Sequence, residues 1–292
     1  MKQFIFYALI VFLIGCSTQK KELDNTFYAF NNSVRTLPNA PQGVDAQAEF
    51  IKKLGFDGFA GHISEDYFER RVALDKMGVA MPEIYWGCSL DSAGIFSYTE
   101  GIKEIIQDSK NRDLVVALFT DANAWMKNKE NGDLLLVKGI EELADFAADF
   151  GVKIAIYPHV NNYVERLDHA IKLVKLINRP NVGAIFNTCH LLKVEGEEGW
   201  EQKLLDAIPY LYMISINGAD SGNTKEMDWD QLIQPLGEGS FDTWKLVKLA
   251  KDNGYNGLFG LQCYNIKQDC EVALTKSINT WRGYQKAYSE GN

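Results

Sequence analysis

The chain has 292 residues, 46% hydrophobic and 24% charged, with a formal net charge of -9. That acidic balance argues against a nucleic-acid partner, because phosphate binding needs a concentrated positive footprint and the sequence holds no long basic run. The composition is that of a globular protein, long enough for one large unit, since barrels of about 200–250 residues or more form single domains.

The first residues read as an address. Lys2 precedes an apolar run from Phe4 to Ile14, shorter than the roughly 20 apolar residues that a membrane helix needs, so residues 1–15 are expected to be an export signal. Leu13-Ile14-Gly15-Cys16 resembles the lipobox of bacterial lipoproteins. The resemblance implies a mature chain that begins at a lipidated Cys16 and is held at the bacterial cell envelope by that anchor alone. Residues 16–25 would then be a tether and residues 26–292 the folded domain.

From Thr26 onward one unit repeats: a short apolar strand, a polar tip and an amphipathic helix. Strand TFYAFNN ends on Asn31 and Asn32, and the helix Val44 to Leu54 follows, with Gly55 just past its end. Strand GFDGFAGH ends on His62, and the helix Glu65 to Met77 closes at Gly78. Strand VAMPEIYW carries Glu83, Tyr85 and Trp86 near its end, and Pro82 suggests that it is short or bulged there. Helix Tyr98 to Asn111 leads to strand LVVALFTD, ending on Thr120 and Asp121, with Trp125 close behind. Helix Leu134 to Phe150 feeds VKIAIYPH, which stops on Tyr157, Pro158 and His159. After helix Tyr163 to Ile177, strand VGAIFNTCH ends on Asn187 and His190. Helix Gly199 to Ile208 precedes LYMISINGAD, helix Thr243 to Asn253 precedes GLFGLQCYN with Gln262 and Tyr264 at its tip, and helix Glu271 to Tyr288 finishes the chain.

Eight strands alternating with eight helices, without a linker or a change of composition, predict a single-domain α/β fold, a (β/α)8 barrel. The alternative is an open doubly wound sheet. Against its nucleotide-binding form, no G-x-G-x-x-G turn follows the first strand and no G-x-x-x-x-G-K-[ST] loop is present, so no nucleotide cofactor is expected. A G-x-S-x-G nucleophile elbow is also missing. Cys88, Cys189, Cys263 and Cys270 have no paired C-x-x-C spacing, and the bland reading of those within strands is a small buried apolar group.

Of the four histidines, His62, His159 and His190 fall at expected carboxyl ends of strands and His169 falls on a helix. The carboxyl face is where parallel barrels keep their chemistry, and histidine is both a common metal ligand and the side chain that titrates nearest neutrality. Glu83 and Asp121 are the nearest carboxylates that could serve as a base, although either could instead cap a helix. Trp86, Trp125 and Tyr163 would suit a sugar-stacking wall or simply packing. Lys193 could meet an anionic oxygen or remain solvated. Asn217, Asp220 and Glu238 could meet hydroxyl groups.

The succession VKIAIYPH, VGAIFNTCH, MISINGAD, PLGEGSFD and GYNGLFGLQCY resembles the xylose isomerase-like TIM barrels over nearly the whole mature chain. These are sugar isomerases and epimerases that share a superfamily with AP endonucleases. Typical members bind a divalent ion through a Glu ending one strand, an Asp and a His three residues apart ending the next, and a Glu ending the last. Those positions fall on Tyr157, Asn187, His190 and Gln262, and only His190 keeps the family's residue type. A hard-ion cage is therefore not expected, whereas a softer site for Zn, Mn or Co built from His159, His190 and Gln262 stays open. The resemblance implies a small carbohydrate substrate and proton transfer next to a carbonyl; joined with the strand-tip reading, it makes His159, His190, Tyr157 and Glu83 the expected catalytic set. Asn187, Asn217, Gln262, Trp125, Tyr163, Lys193 and His62 would then bind substrate. Two alternatives remain: β-elimination from a 3-keto-glycoside, and a non-catalytic carbohydrate-binding barrel.

Overall fold

In the computed structural model residues 22–62 and 66–291 are described, His62 by its backbone only. The signal segment, Cys16 and most of the tether lie outside the described residues, as does the expected substrate contact of the His62 side chain. Among the described residues no helix is long and apolar enough to cross a membrane.

The strands are β1 (Phe27–Ala29), β2 (Gly58–Phe59), β3 (Gly61–His62), β4 (Glu83–Leu90), β5 (Phe96–Tyr98), β6 (Val115–Asp121), β7 (Lys153–Ile156), β8 (Val182–Asn187), β9 (Leu211–Ile216) and β10 (Leu258–Leu261). Hydrogen bonding orders them β2-β1-β10-β9-β8-β7-β6-β4-β3, with β5 attached to β4. The two ends of that order, β2 and β3, are separated in sequence by Ala60 alone, so they are halves of one strand and the sheet closes into a cylinder. Neighbouring barrel strands run parallel, as a cylinder wrapped by helices requires; β4 and β5 pair antiparallel as a hairpin.

The connecting helices are α1 (Asn32–Thr36), α2 (Val44–Leu54), α3 (Tyr67–Met77), α4 (Ile102–Asp108), α5 (Lys129–Ala148), α6 (Leu167–Ile177), α7 (Thr188–Val194), α8 (Trp200–Ala207), α9 (Trp229–Leu232), α10 (Thr243–Asp252) and α11 (Cys270–Glu290). Their ends follow local chemistry. Gly55 closes α2 at φ 83°, a left-handed conformation that glycine adopts without steric cost, and its N–H reaches the carbonyls of Ile51 and Lys52. At the other kind of end, the Asp269 carboxylate accepts from the first free N–H groups of α11, those of Glu271 and Val272.

Period-two alternation along the strands sorts side chains into two cores. Tyr28, Val115, Ala117, Ala155, Ile185 and Met213 belong to one cluster, the barrel interior. Their sequence neighbours Phe27, Ala29, Val116, Ile154, Ile156, Phe186 and Ile214 join the second, between the strands and the helices. Room inside the cylinder is short. A Cβ on Gly260 would meet Phe30 Cε1 at 2.3 Å, so glycine is needed there for the aromatic ring to fit.

Several expected boundaries move. The helix expected from Tyr98 begins at Ile102, because Phe96–Tyr98 pairs with β4 as a hairpin strand. Pro82 lies before β4 rather than inside it, so Glu83 is that strand's first residue. The segment around His190, expected as a strand tip, is the helix α7, and α1 directly follows β1.

Candidate functional site

At the carboxyl ends of the strands the cylinder opens into a cavity of about 520 Å³. Its walls come from the residues just beyond β1 (Phe30, Asn31), β7 (Tyr157, His159) and β10 (Gln262), from His190 on α7, and from Trp229 and Ile233 in and after α9. Glu83 and Tyr85 also line it, although they sit at the start of β4. The stagger of a tilted barrel explains this. Gly61 pairs with Ile84, while the Ala60 N–H bonds to the Ala29 carbonyl at 2.9 Å, so Glu83 stands level with the tip of β1.

Four of these side chains are coupled. The imidazoles of His159 and His190 lie 4.1 Å apart between ring centroids, inclined by 48°. The His159 Nδ1 is 2.8 Å from the Val160 carbonyl, which can only accept, so this nitrogen carries the proton and Nε2 keeps its lone pair. Among the described residues the His190 Nδ1 is buried without a hydrogen-bond partner, and the Trp229 ring stands edge-on to that imidazole at 5.5 Å. Burial lowers the pKa of His159 and, joined by the neighbouring His159, drives that of His190 well below the ordinary value, so both rings are neutral near pH 7.

Asn187 organises the third member. Its Oδ1 accepts the His190 backbone N–H at 3.1 Å, capping α7, while its Nδ2 donates to the Tyr157 hydroxyl at 2.5 Å. The Tyr157 oxygen thus acts as acceptor toward Asn187, and its own hydrogen is left to donate elsewhere. Burial holds its pKa well above the usual phenol value. The fourth member, Glu83, is 2% exposed, and burial pushes its carboxyl from 4.5 up to about 8, so it is mainly a neutral acid near pH 7.

The donor set does not fit a divalent cation. Gln262 Oε1 already accepts from Asn32 Nδ2 and from the N–H groups of Cys263 and Tyr264 at 3.0 and 3.1 Å, which uses the capacity of an amide oxygen. Asn187 Oδ1 is similarly filled by His190 N and by Cys189 Sγ, both at 3.1 Å. What remains is a pair of neutral imidazoles and the buried, protonated Glu83 carboxyl, and among the described residues no group of three His, Cys, Asp or Glu side chains converges. The expected role of Gln262 as a metal ligand therefore conflicts with its hydrogen bonding.

Other residues singled out in the sequence stand away from the cavity. Tyr163 is buried and its hydroxyl donates to Asp133 Oδ1 at 2.8 Å, where His169 and Lys172 also converge, a clamp between α5 and α6. Trp125 donates through Nε1 to the Asp91 carbonyl at 2.7 Å, bracing the β4–β5 hairpin. Lys193 Nζ reaches the carbonyls of Lys225 and Met227 at 2.9 and 2.7 Å. Asn217 spends its amide on the carbonyls of Gly218 and Leu232. Asp121 is exposed at the end of β6. Conversely, the cavity takes in Arg35, Trp229 and Ile233, which the strand-tip pattern does not reach because they sit on or beside the short elements α1 and α9.

A closed (β/α)8 cylinder with a polar cavity at the carboxyl ends of its strands defines the class. The chain belongs to the xylose isomerase-like TIM barrel family, which matches it over residues 48–282. It is 26% identical over 148 residues to an inosose dehydratase of Clostridium botulinum (strain Alaska E43 / Type E3), a match covering 48% of either chain, so it spans about half the length of that curated relative. Among solved structures, the IOLI protein with a bound zinc atom superposes with a TM-score of 0.68 at 16% identity, over 90% of this chain and 99% of that one. The 3-keto-D-glucoside 4-epimerase from E. coli, in its apo form, gives a TM-score of 0.65 at 16% identity, over 89% and 99%. At these identities the structural likeness concerns the fold. Sugar-modifying enzymes and a zinc-bound structure are thus among the proteins this chain resembles.

Proposed function

We propose that the cavity is the active site of a carbohydrate-active enzyme that moves a proton next to the carbonyl of a sugar or keto-sugar, as an isomerase or epimerase does. The observation that carries this reading is the meeting of two neutral imidazoles, the Tyr157 hydroxyl and the neutral Glu83 carboxyl in one cavity. His159 Nε2, with a free lone pair, takes the proton from the carbon beside the carbonyl. As that C–H bond breaks, its electrons move onto the carbonyl oxygen, and the enolate is met by hydrogen bonds from Tyr157 and from the protonated Glu83. Return of the proton to the other face gives the epimer. Return to the former carbonyl carbon, with proton transfer between the two oxygens, gives the isomer. No step passes through a metal ion, because the described side chains do not form a site for one.

A second reading uses the same proton removal and differs in the outcome: the enolate collapses by expelling the group on the next carbon. β-Elimination from a 3-keto-glycoside is of this kind, and the relative named a dehydratase and the neighbour named for a 3-keto-glucoside favour keeping it. A carbohydrate-binding barrel without catalysis is the reading from another class. Incubating the full chain in D2O with a panel of keto-sugars and 3-keto-glycosides separates the three. Deuterium at the carbon beside the carbonyl supports the first, release of the aglycone supports the second, and saturable binding with neither outcome sinks both. Export and lipidation belong to the same proposal and rest on Leu13-Ile14-Gly15-Cys16; Cys16→Ser should abolish incorporation of labelled fatty acid.

A further inference from the structure

One wall of the cavity is left unused by this chemistry. Asn31 caps α1 with helical backbone angles, φ -55° and ψ -30°, so residues 31 and 35 lie on the same face of that turn, and both line the cavity. The two other polar side chains of the turn that line the cavity are engaged: Asn32 on Gln262, and Thr36 between the Asn32 carbonyl and the Asn265 N–H. Asn31 is not. It is 4% exposed, and both its Oδ1 and its Nδ2 are buried without a hydrogen-bond partner among the described residues, an arrangement that costs stability unless a ligand completes it. Arg35 is exposed at the rim, and among the described residues no carboxylate pairs with it. It is the one cation among the described residues that line the cavity, in a chain whose net charge is -9.

We infer that the substrate is an acidic sugar, a uronic acid or its keto form, whose carboxylate lies against Arg35 and the Asn31 amide. This rests on the reading of the cavity as a sugar site and names its substrate class. A guanidinium donates two parallel N–H groups to the two oxygens of a carboxylate, and the Asn31 Nδ2 supplies a further donor from the buried side. The Asn31 Oδ1 is left to accept from a ring hydroxyl, so a carboxylate flanked by a hydroxyl satisfies both orphaned atoms. Glu83, the one carboxyl among the described lining residues, does not repel such an anion while it is protonated. A phosphate ester would also be anionic, but its dianion is matched here by a single described cation.

The test is calorimetric titration of the full chain with D-glucuronate and D-galacturonate against D-glucose, D-galactose and D-glucose 6-phosphate. Each acid should bind at least about tenfold more tightly than its neutral counterpart, the worth of a charge-assisted pair of hydrogen bonds. The acid-to-neutral ratio should fall to near one in Arg35→Met and survive in part in Arg35→Lys. Asn31→Asp, nearly isosteric, should reverse the preference by placing a like charge against the carboxylate. Equal affinity for acid and neutral sugar, tighter binding of the 6-phosphate, a preference that survives Arg35→Met, or no saturable binding of either acid each overturns the inference. The deuterium readout is separate: exchange into neutral keto-sugars without acid preference removes only the substrate class, and Arg35-dependent acid binding without exchange removes only the enzyme.

Discussion

The rings of His159 and His190 lie 4.1 Å apart, centroid to centroid, although one follows strand β7 and the other rides on helix α7. Neither can take a proton cheaply, since burial disfavours the cation in both and a charge on one opposes a charge on the other. Their folded pKa values lie below 6.5, so below that pH the unfolded chain binds protons that the folded chain refuses. Stability is therefore expected to fall as the pH drops from about 6.5, and His190→Phe should flatten that acid limb in urea titrations at pH 5 and pH 7. His159→Ala should lower deuterium exchange by about 10²–10⁴-fold, the usual range for losing a positioned base. An unchanged rate would remove His159 from the chemistry.

Glu83 has the opposite sign. Its pKa is raised from 4.5 to about 8, so between these values the unfolded chain has already lost the proton that the folded chain keeps. The stability it contributes is full below pH 4.5 and is lost as the pH rises toward 8. Glu83→Gln preserves shape and neutrality, so the variant should gain on the wild type across that window by a few kcal/mol, roughly, given about 1.4 kcal/mol for each pH unit. Parallel stability curves for the two proteins from pH 5 to about pH 8 would mean that Glu83 is not held protonated.

How much of this was legible beforehand differs between residues. The alternation of apolar strands and capped helices makes the barrel readable, and Tyr157, His159 and Gln262, which line the cavity, show themselves by following the ends of buried strands, whereas His190 reaches it from the first turn of α7. Glu83 reaches the cavity for a reason that no local pattern contains: the stagger between β3 and β4 lifts the beginning of one strand to the level of another's end. Arg35 and Trp229 belong to helices of five and four residues, too short to leave a periodic signature. Trp125, Tyr163 and Lys193 carry the right chemistry for a sugar site, and only the tertiary structure reveals that each is occupied by a carbonyl or carboxylate elsewhere.

Tyr157 offers a test in which stability and activity part company. In Tyr157→Phe the Asn187 Nδ2 loses its buried acceptor, which costs about 1–3 kcal/mol of folding stability. If the phenol also donates to the developing enolate, the exchange rate should fall by about 10²–10³-fold at saturating substrate, with KM changed far less. The double variant Tyr157→Phe with Asn187→Ser removes the orphaned Nδ2 but keeps an oxygen to cap α7, and should regain part of the stability without regaining the rate. Recovery of both together would make Tyr157 a packing residue only.

Tyr157, Asn187 and Gln262 stand where the family resemblance implies metal-binding carboxylates. Here Asn187 and Gln262 have their oxygens filled by N–H and S–H donors of the chain itself, and an ion could claim them only by breaking those bonds. Prolonged dialysis against a chelator should therefore leave exchange activity unchanged, and added Zn²⁺ or Mn²⁺ should not raise it. The triple variant Tyr157→Glu, Asn187→Asp, Gln262→Glu returns anionic oxygen beside His190 and should bind a divalent ion that the wild type does not, measured by equilibrium dialysis with metal analysis. Tight stoichiometric metal in the wild type, with activity that chelation abolishes and the ion restores, would show that these amides rearrange to admit it, and the proton transfer would then have to be assigned anew.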